Sequence, residues 1–283
     1  MTASLDPTAP SSLGPDPLAP DLGVMAHRRL EAIGLVALRL GQLLMESGAR
    51  SGIVDTATTS LARALGAADA EARAGYASLT LTVRHGVNSI TRMVGVGPHG
   101  VNHRLEHALR SLVRRVMDAP APPETVQIEI ERLARETPRH PRLLTASAVG
   151  LACAAFAHLL GADPLGVAAV APVAALAQGL RVGLHHRKVN TFLIAFFIAF
   201  GSAAGAGALA RLLESTSVGI AMVAATLLLV PGVPALNALG DILEGHPTLG
   251  TARLVAVLTH LIFLSIGLWT ASLVVGLPLV PGA

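Results

Sequence analysis

The sequence predicts a membrane all-α fold of about five transmembrane helices, preceded by a small α+β cytoplasmic domain. Three observations carry this prediction. From Leu143 to Ala283 the formal charges are only Arg181, Arg187, Lys188, Arg211 and Arg253 against Asp163, Glu214, Asp241 and Glu244, whereas about a quarter of the residues of a soluble domain are charged. The same half divides into five apolar stretches, each near the ~20 residues a helix needs to cross hydrocarbon. Residues 1–142 hold 16 of the 21 basic and 14 of the 18 acidic residues, so the two halves need different solvents.

The elements follow in order. Residues 1–24 contain Pro7, Pro10, Pro15, Pro17 and Pro20 and neither a basic n-region nor an apolar h-region. They read as a disordered Pro-rich tail and not a signal peptide, which keeps the following domain, 25–140, in the cytoplasm. That domain opens with an amphipathic helix over Met25–Ser47. A break at Ser47–Gly52 separates it from a second helix, Ile53–Leu65, that ends at Gly66. Leu79, Leu81 and Val83 alternate with Thr80, Thr82 and Arg84, the pattern of a half-buried strand. His85-Gly86 marks a turn and Val87–Val96 the partner strand. A helix over Val101–Met117 is stopped by Pro120, Pro122 and Pro123, and a last helix, Glu124–Glu136, leads to the membrane.

The transmembrane domain, 141–283, is expected to span at Leu143–Leu160, Leu165–Leu184, Thr191–Leu213, Ser217–Gly240 and Leu254–Leu277. The first two are short, and Gly161–Pro164 between them is tight. They read as a helical hairpin or as one span followed by a re-entrant piece. Arg139, His140 and Arg142 precede the first span. His185, His186, Arg187 and Lys188 follow the second, and Arg253 precedes the fifth. Positive charge collects on the cytoplasmic side, which puts the N-terminus inside, the C-terminus outside and the chain in the cell inner membrane. The Arg211/Glu214 loop, on the outer side, fits this rule least well.

Several function classes recede at this point. The pI near 9.9 comes without a Lys/Arg run interleaved with aromatics, so no nucleic-acid partner is expected. The one cysteine, Cys153, lies in the first apolar stretch, where a thiolate is disfavoured. His103, Glu106 and His107 match H-x-x-E-H, a zinc-peptidase pattern in which one helix offers two imidazoles and a base. The helix argues against that reading. Val101, Leu105, Leu109, Leu112 and Val116 form its apolar stripe, the His and Glu residues lie on the solvated remainder with Arg110 and Arg114, and these arginines would repel a dication. No metal, no cofactor and no enzymatic activity are expected. The alternative is a membrane-anchored regulatory protein or metal-dependent hydrolase that works through the cytoplasmic domain.

The sharpest membrane feature is Val230-Pro231-Gly232-Val233-Pro234 inside the fourth apolar stretch. Proline removes a helix hydrogen bond, and such a break persists in lipid only where protein or a wet cavity satisfies the freed backbone groups. Transporters build substrate sites this way, so Pro231, Gly232 and Pro234 are candidates for a substrate path. Asn237 and Asp241 share a helix face with Pro234 and extend the set. Arg181 and Arg253 are candidates for steering anions at the cytoplasmic mouth. Gly201 and Gly205 form a small-residue face suited to helix packing. His158 and His260 read as neutral, hydrogen-bonded histidines of apolar helices.

Leu40-Gly41-Gln42-Leu43-Leu44-Met45-Glu46-Ser47-Gly48-Ala49, the strand pair with Thr91-Arg92, and Leu229–Pro234 running on through Asn237, Asp241 and Gly245 to Ala252-Arg253-Leu254 together resemble the ThrE-type threonine/serine exporter family. The likeness covers about residues 27–277. It implies a secondary transporter that exports small polar metabolites across the bilayer by alternating access. Some members carry about ten spans. Others are split into a larger chain and a small second membrane subunit, and a chain of five spans resembles the larger subunit, with self-association as the other option. The split pairs include a succinate exporter, so the resemblance implies threonine, serine or a dicarboxylate as cargo.

Overall fold

The computed structural model describes residues 27–98, 100–137, 141–187 and 189–276. The Pro-rich tail and the Arg139–His140 segment therefore lie outside the described residues. The elements are α1 (His27–Glu46), α2 (Ser51–Ala64), β1 (Asp69–Ala74), β2 (Ser78–His85), β3 (Asn88–Gly95), α3 (His103–Asp118), α4 (Pro123–Glu136), α5 (Arg142–Leu159), α6 (Pro164–His186), α7 (Thr191–Leu212), α8 (Val218–Thr226) with a 3-10 turn over Leu227–Leu229, α9 (Gly232–Leu243) and α10 (Pro247–Val275).

The first seven elements share one core. The strands form an antiparallel sheet in the order β1-β2-β3, and its inward residues Leu79, Leu81, Val83 and Ile90 pack with Leu30, Ile33, Leu40 and Leu44 of α1. Helix α1 is buried on nearly every side because α2 and α4 cover the faces the sheet leaves. Gly41 permits this approach, since a Cβ there would collide with Leu79 and Thr58. The stripe Leu105, Leu109, Leu112 and Val116 of α3 and Val126 and Ile130 of α4 close the core.

Strand β1 was not expected. Its residues alternate, with Ala70 and Ala72 buried opposite Val83 and Leu81. Alanine is a poor strand former, so the pattern is silent until β2 offers an edge. Asp69, paired to Arg84 across that edge at 2.7 Å, helps to fix the register.

Helices α5 to α10 pack through small residues. Four are each long and apolar enough to cross a bilayer, and α8 with its 3-10 turn plus α9 makes a fifth if the bent pair is one span. The short first two stretches form an antiparallel hairpin, because Arg142 at the start of α5 donates to His186 at the end of α6 (3.1 Å). Cys153 is buried among α5, α6 and α8.

The glycine face is distributed differently from the pattern read in sequence. Gly201 faces open space, whereas Gly205 meets Val173 of α6. The tighter approaches are at Gly267, against Phe196 and Ala199 of α7, and at Gly150, against Ala171 and Ala175 of α6. Helix α10 begins at Pro247, seven residues before the expected Leu254, and runs for 29 residues.

The polar groups gather at two poles. At one, Asp163 between α5 and α6 accepts from Ser215 Oγ (2.5 Å) and from the Ser217 amide (3.2 Å) between α7 and α8, and Arg211 donates to Gly276 O (3.3 Å). At the other, the end of α9 meets the α1–α2 loop and the first turns of α10, and the start of α5 meets the end of α6.

Candidate functional site

Two features of α8–α9 bring together the residues singled out in the sequence, and the first is set locally by proline. An uninterrupted helix would pair the amide of residue 231 with Leu227 O and that of residue 234 with Val230 O, but prolines have no amide hydrogen. Proline also drives the residue before it out of the helical region, and Val230 sits at φ −60°, ψ 98°. The chain then turns through Pro231 (φ −53°, ψ 56°), with the Gly232 amide donating back to Val230 O at 2.6 Å. This is an inverse γ-turn. Helix α9 restarts there at 58° to α8.

The bend leaves carbonyls at the end of α8 without helical donors, a costly state in a dry environment. Side chains from two other helices supply the donors. Arg181 Nη1 of α6 donates to Leu228 O (2.7 Å) and His260 Nε2 of α10 donates to Leu229 O (3.1 Å). Arg181 forms no ion pair among the described residues. One turn earlier on α6, Gln178 carries a buried Oε1 without a hydrogen-bond partner among the described residues. An arginine and a histidine thus meet at the interruption of an apolar helix, with an unsatisfied amide oxygen one turn along α6 from the arginine. Ionisable groups in such places mark substrate or ion pathways.

The second feature is the far end of α9. Asp241 is fully buried. It accepts from the Ser51 amide (3.0 Å), Ser51 Oγ (2.7 Å) and Arg253 Nη1. Asn237 Nδ2 donates to Gly48 O (2.8 Å), and Glu244 pairs with Arg50 at 2.7 Å. The loop between α1 and α2 therefore grips α9 on its Asn237/Asp241 face. Gly48 makes the grip possible: its φ of +88°, which disfavours any residue with a Cβ, turns the chain out of α1. Asp55 of α2 adds a looser contact to His246 at 3.8 Å. Burial beneath this joint pushes its carboxyl pKa above the usual carboxylate value.

The five path candidates thus divide into two groups. Pro231, Gly232 and Pro234 shape the bend, and Asn237 and Asp241 face the N-terminal part. Arg181 lies at the bend, about 8 Å of helix rise inside the end of α6. Arg253 is buried on Asp241. The partnership of His260 with the bend was not visible in the sequence. His103 is exposed and contacts Glu106 at 3.3 Å, and Glu106 also pairs with Arg110. No group of three or more metal-ligating side chains is assembled among the described residues.

Comparison with known proteins matches this arrangement to one family. Residues 35–275 match the ThrE family model, described as "Putative threonine/serine exporter". A protein of Klebsiella aerogenes named "Probable succinate transporter subunit YjjP" is 29% identical over 78% of this chain and 86% of its own length. The protein of the same name from Escherichia coli K12 is 29% identical over 81% of this chain and 89% of its own. No solved structure matches the chain. A family match that spans the α1–α2 loop, the bend and α10 together, on a scaffold of apolar spanning helices, makes this chain a multi-pass membrane transport protein of the ThrE exporter family.

Proposed function

We propose that this chain is the larger subunit of an inner-membrane secondary exporter that moves a small dicarboxylate, of which succinate is the model, out of the cytoplasm by alternating access. The observation that carries the proposal is the bend at Val230–Gly232, whose freed carbonyls rest on Arg181 and His260. A guanidinium has five donors. One contact to Leu228 O leaves others for a carboxylate, which it binds in a fork. The Gln178 amide, which can present either end, would complete the contact. An amino acid would also need an acceptor for its ammonium group. The nearest carboxylate along the bent span, Asp241, is occupied by Ser51 and Arg253. This favours a dicarboxylate over threonine or serine.

The positive-inside rule supports a cytoplasmic position for the N-terminal α/β part. In this reading it holds the inner half-helix α9 through Ser51, Gly48 and Arg50, and Pro231 is the pivot about which α9 swings. A second subunit is supported by the relatives' name as transporter subunits and by the exposed apolar residues Leu236, Leu239 and Leu243 along α9.

Export of succinate, with threonine and serine as comparison, from a strain carrying only the variant gene tests the proposal. R181A is expected to lower succinate efflux at least about tenfold, the loss of one charge-assisted contact, while the amount of protein in the membrane is unchanged. R181K is expected to retain part of the efflux. Wild-type efflux by R181A overturns the assignment. Loss of the membrane-inserted protein in step with efflux would make Arg181 a structural cap of α8 and nothing more.

A further inference from the structure

A cleft of about 450 Å³ lies away from the bend, at the joint between the N-terminal part and the end of α9. Its polar wall consists of Arg50, Thr56 and Ser60 from the start and body of α2, Arg110 and Arg114 from α3, and Glu244 after α9. Ile53, Val113 and Met117 give it an apolar floor. The volume falls in the range of small-molecule sites.

Its charges do not balance. Three guanidiniums face one carboxylate, and Glu244 is already engaged with Arg50 at 2.7 Å. Among the described residues Arg110 pairs only with Glu106, at 3.5 Å. Arg114 donates to Ser111 Oγ (3.2 Å) and makes no ion pair among the described residues. Arg110 and Arg114 stand one turn apart on the same face of α3, where like charges repel. A pair of under-neutralised guanidiniums over an apolar floor, with two hydroxyls opposite, suits an anion with two negative charges and a short carbon body.

We propose that this cleft binds a small organic dianion, a dicarboxylate or a phosphate monoester. Binding also bears on α9. Arg50 is the residue that ties Glu244 to the N-terminal part, and it lies along Gly240 of the same helix. A dianion that draws Arg50 away from Glu244 releases one of the ties on the half-helix. Only this link to gating rests on the exporter reading; the binding itself does not.

Calorimetry on the purified full-length protein in nanodiscs tests the site. It is run in an R181A background so that the bend contributes no succinate binding, with succinate and glycerol 3-phosphate as probes. Saturable binding of at least one probe is expected. R110A/R114A should weaken it at least about tenfold, and R104A, on the same helix but outside the cleft, should leave it unchanged. E244Q should strengthen binding severalfold by freeing Arg50, a gain that a damaged fold would not give. Absence of binding by both probes overturns the proposal, as does wild-type affinity in R110A/R114A. Nanodiscs with and without phosphatidylglycerol separate the source of the anion. Equal binding in both supports a soluble metabolite, and loss of metabolite binding in the anionic discs assigns the cleft to a lipid headgroup instead. If R181A exports normally while the cleft binds, the bend assignment fails and the cleft stands.

Discussion

The strongest single test of the α9 anchor is removal of Asp241. Its side chain is fully buried, and that of its partner Arg253 is only 7% exposed. In D241A the two Ser51 donors lose their acceptor and Arg253 is left charged in a site without a counter-ion. Removing one partner of a buried ion pair costs about 3–5 kcal/mol, and the lost Ser51 hydrogen bonds act in the same direction. With roughly 2–4 °C of midpoint per kcal/mol for a chain of this size, the apparent unfolding midpoint should fall by on the order of 10 °C. The partner change R253M restores neutrality. D241N/R253M keeps an acceptor for Ser51 and leaves no buried charge, so most of the loss should return. The assay is thermal unfolding of the detergent-solubilised proteins: D241A against wild type for the drop, and wild type, D241N, R253M and the double variant read as a double-mutant cycle. A coupling of about 2 kcal/mol or more is expected. Additive effects, with coupling below about 0.5 kcal/mol, would mean that Asp241 and Arg253 are not a pair and that α9 is not tied as described.

Two further perturbations probe the bend and the opposite pole. P231A returns an amide donor to Leu227 O and favours a straighter span; efflux should fall while insertion is kept, and equal loss of both would make Pro231 a folding residue. The Asp163 carboxyl is held down to about 2, first by the Ser215 hydroxyl and then by the Ser217 hydrogen bond. Because its folded value lies below the unfolded one, its stabilisation is complete above the ordinary carboxylate range and is lost as the pH falls toward the folded value. The midpoint of the wild type should therefore drop faster than that of D163N between about pH 5 and pH 2.5. Parallel curves would show that Asp163 does not staple the two turns.

Much of the fold was legible because it is written locally. Hydrophobic length located the spanning helices to within a few residues, except at α10, whose first two turns are too mixed in polarity to read as membrane helix but continue from Pro247 without a stop. The Pro-Gly-Val-Pro run fixed the break in α8–α9, since a missing amide hydrogen acts within one turn of itself. Strand β1 was not legible, because Ala70 and Ala72 favour a strand only once β2 lies beside them.

The sequence by itself thus determined a lipid-solvated half, an interrupted helix within it and a glycine-marked break between α1 and α2, all consequences of composition and backbone sterics over a few residues. Tertiary structure decided who satisfies the interruption and who holds α9. Arg181 and His260 reach carbonyls 47 and 31 residues away, and Ser51 meets Asp241 across 190. A buried carbonyl or carboxylate demands a donor but does not specify which one. Helix packing supplies it, and the close approaches that set that packing are made between residues far apart in the chain.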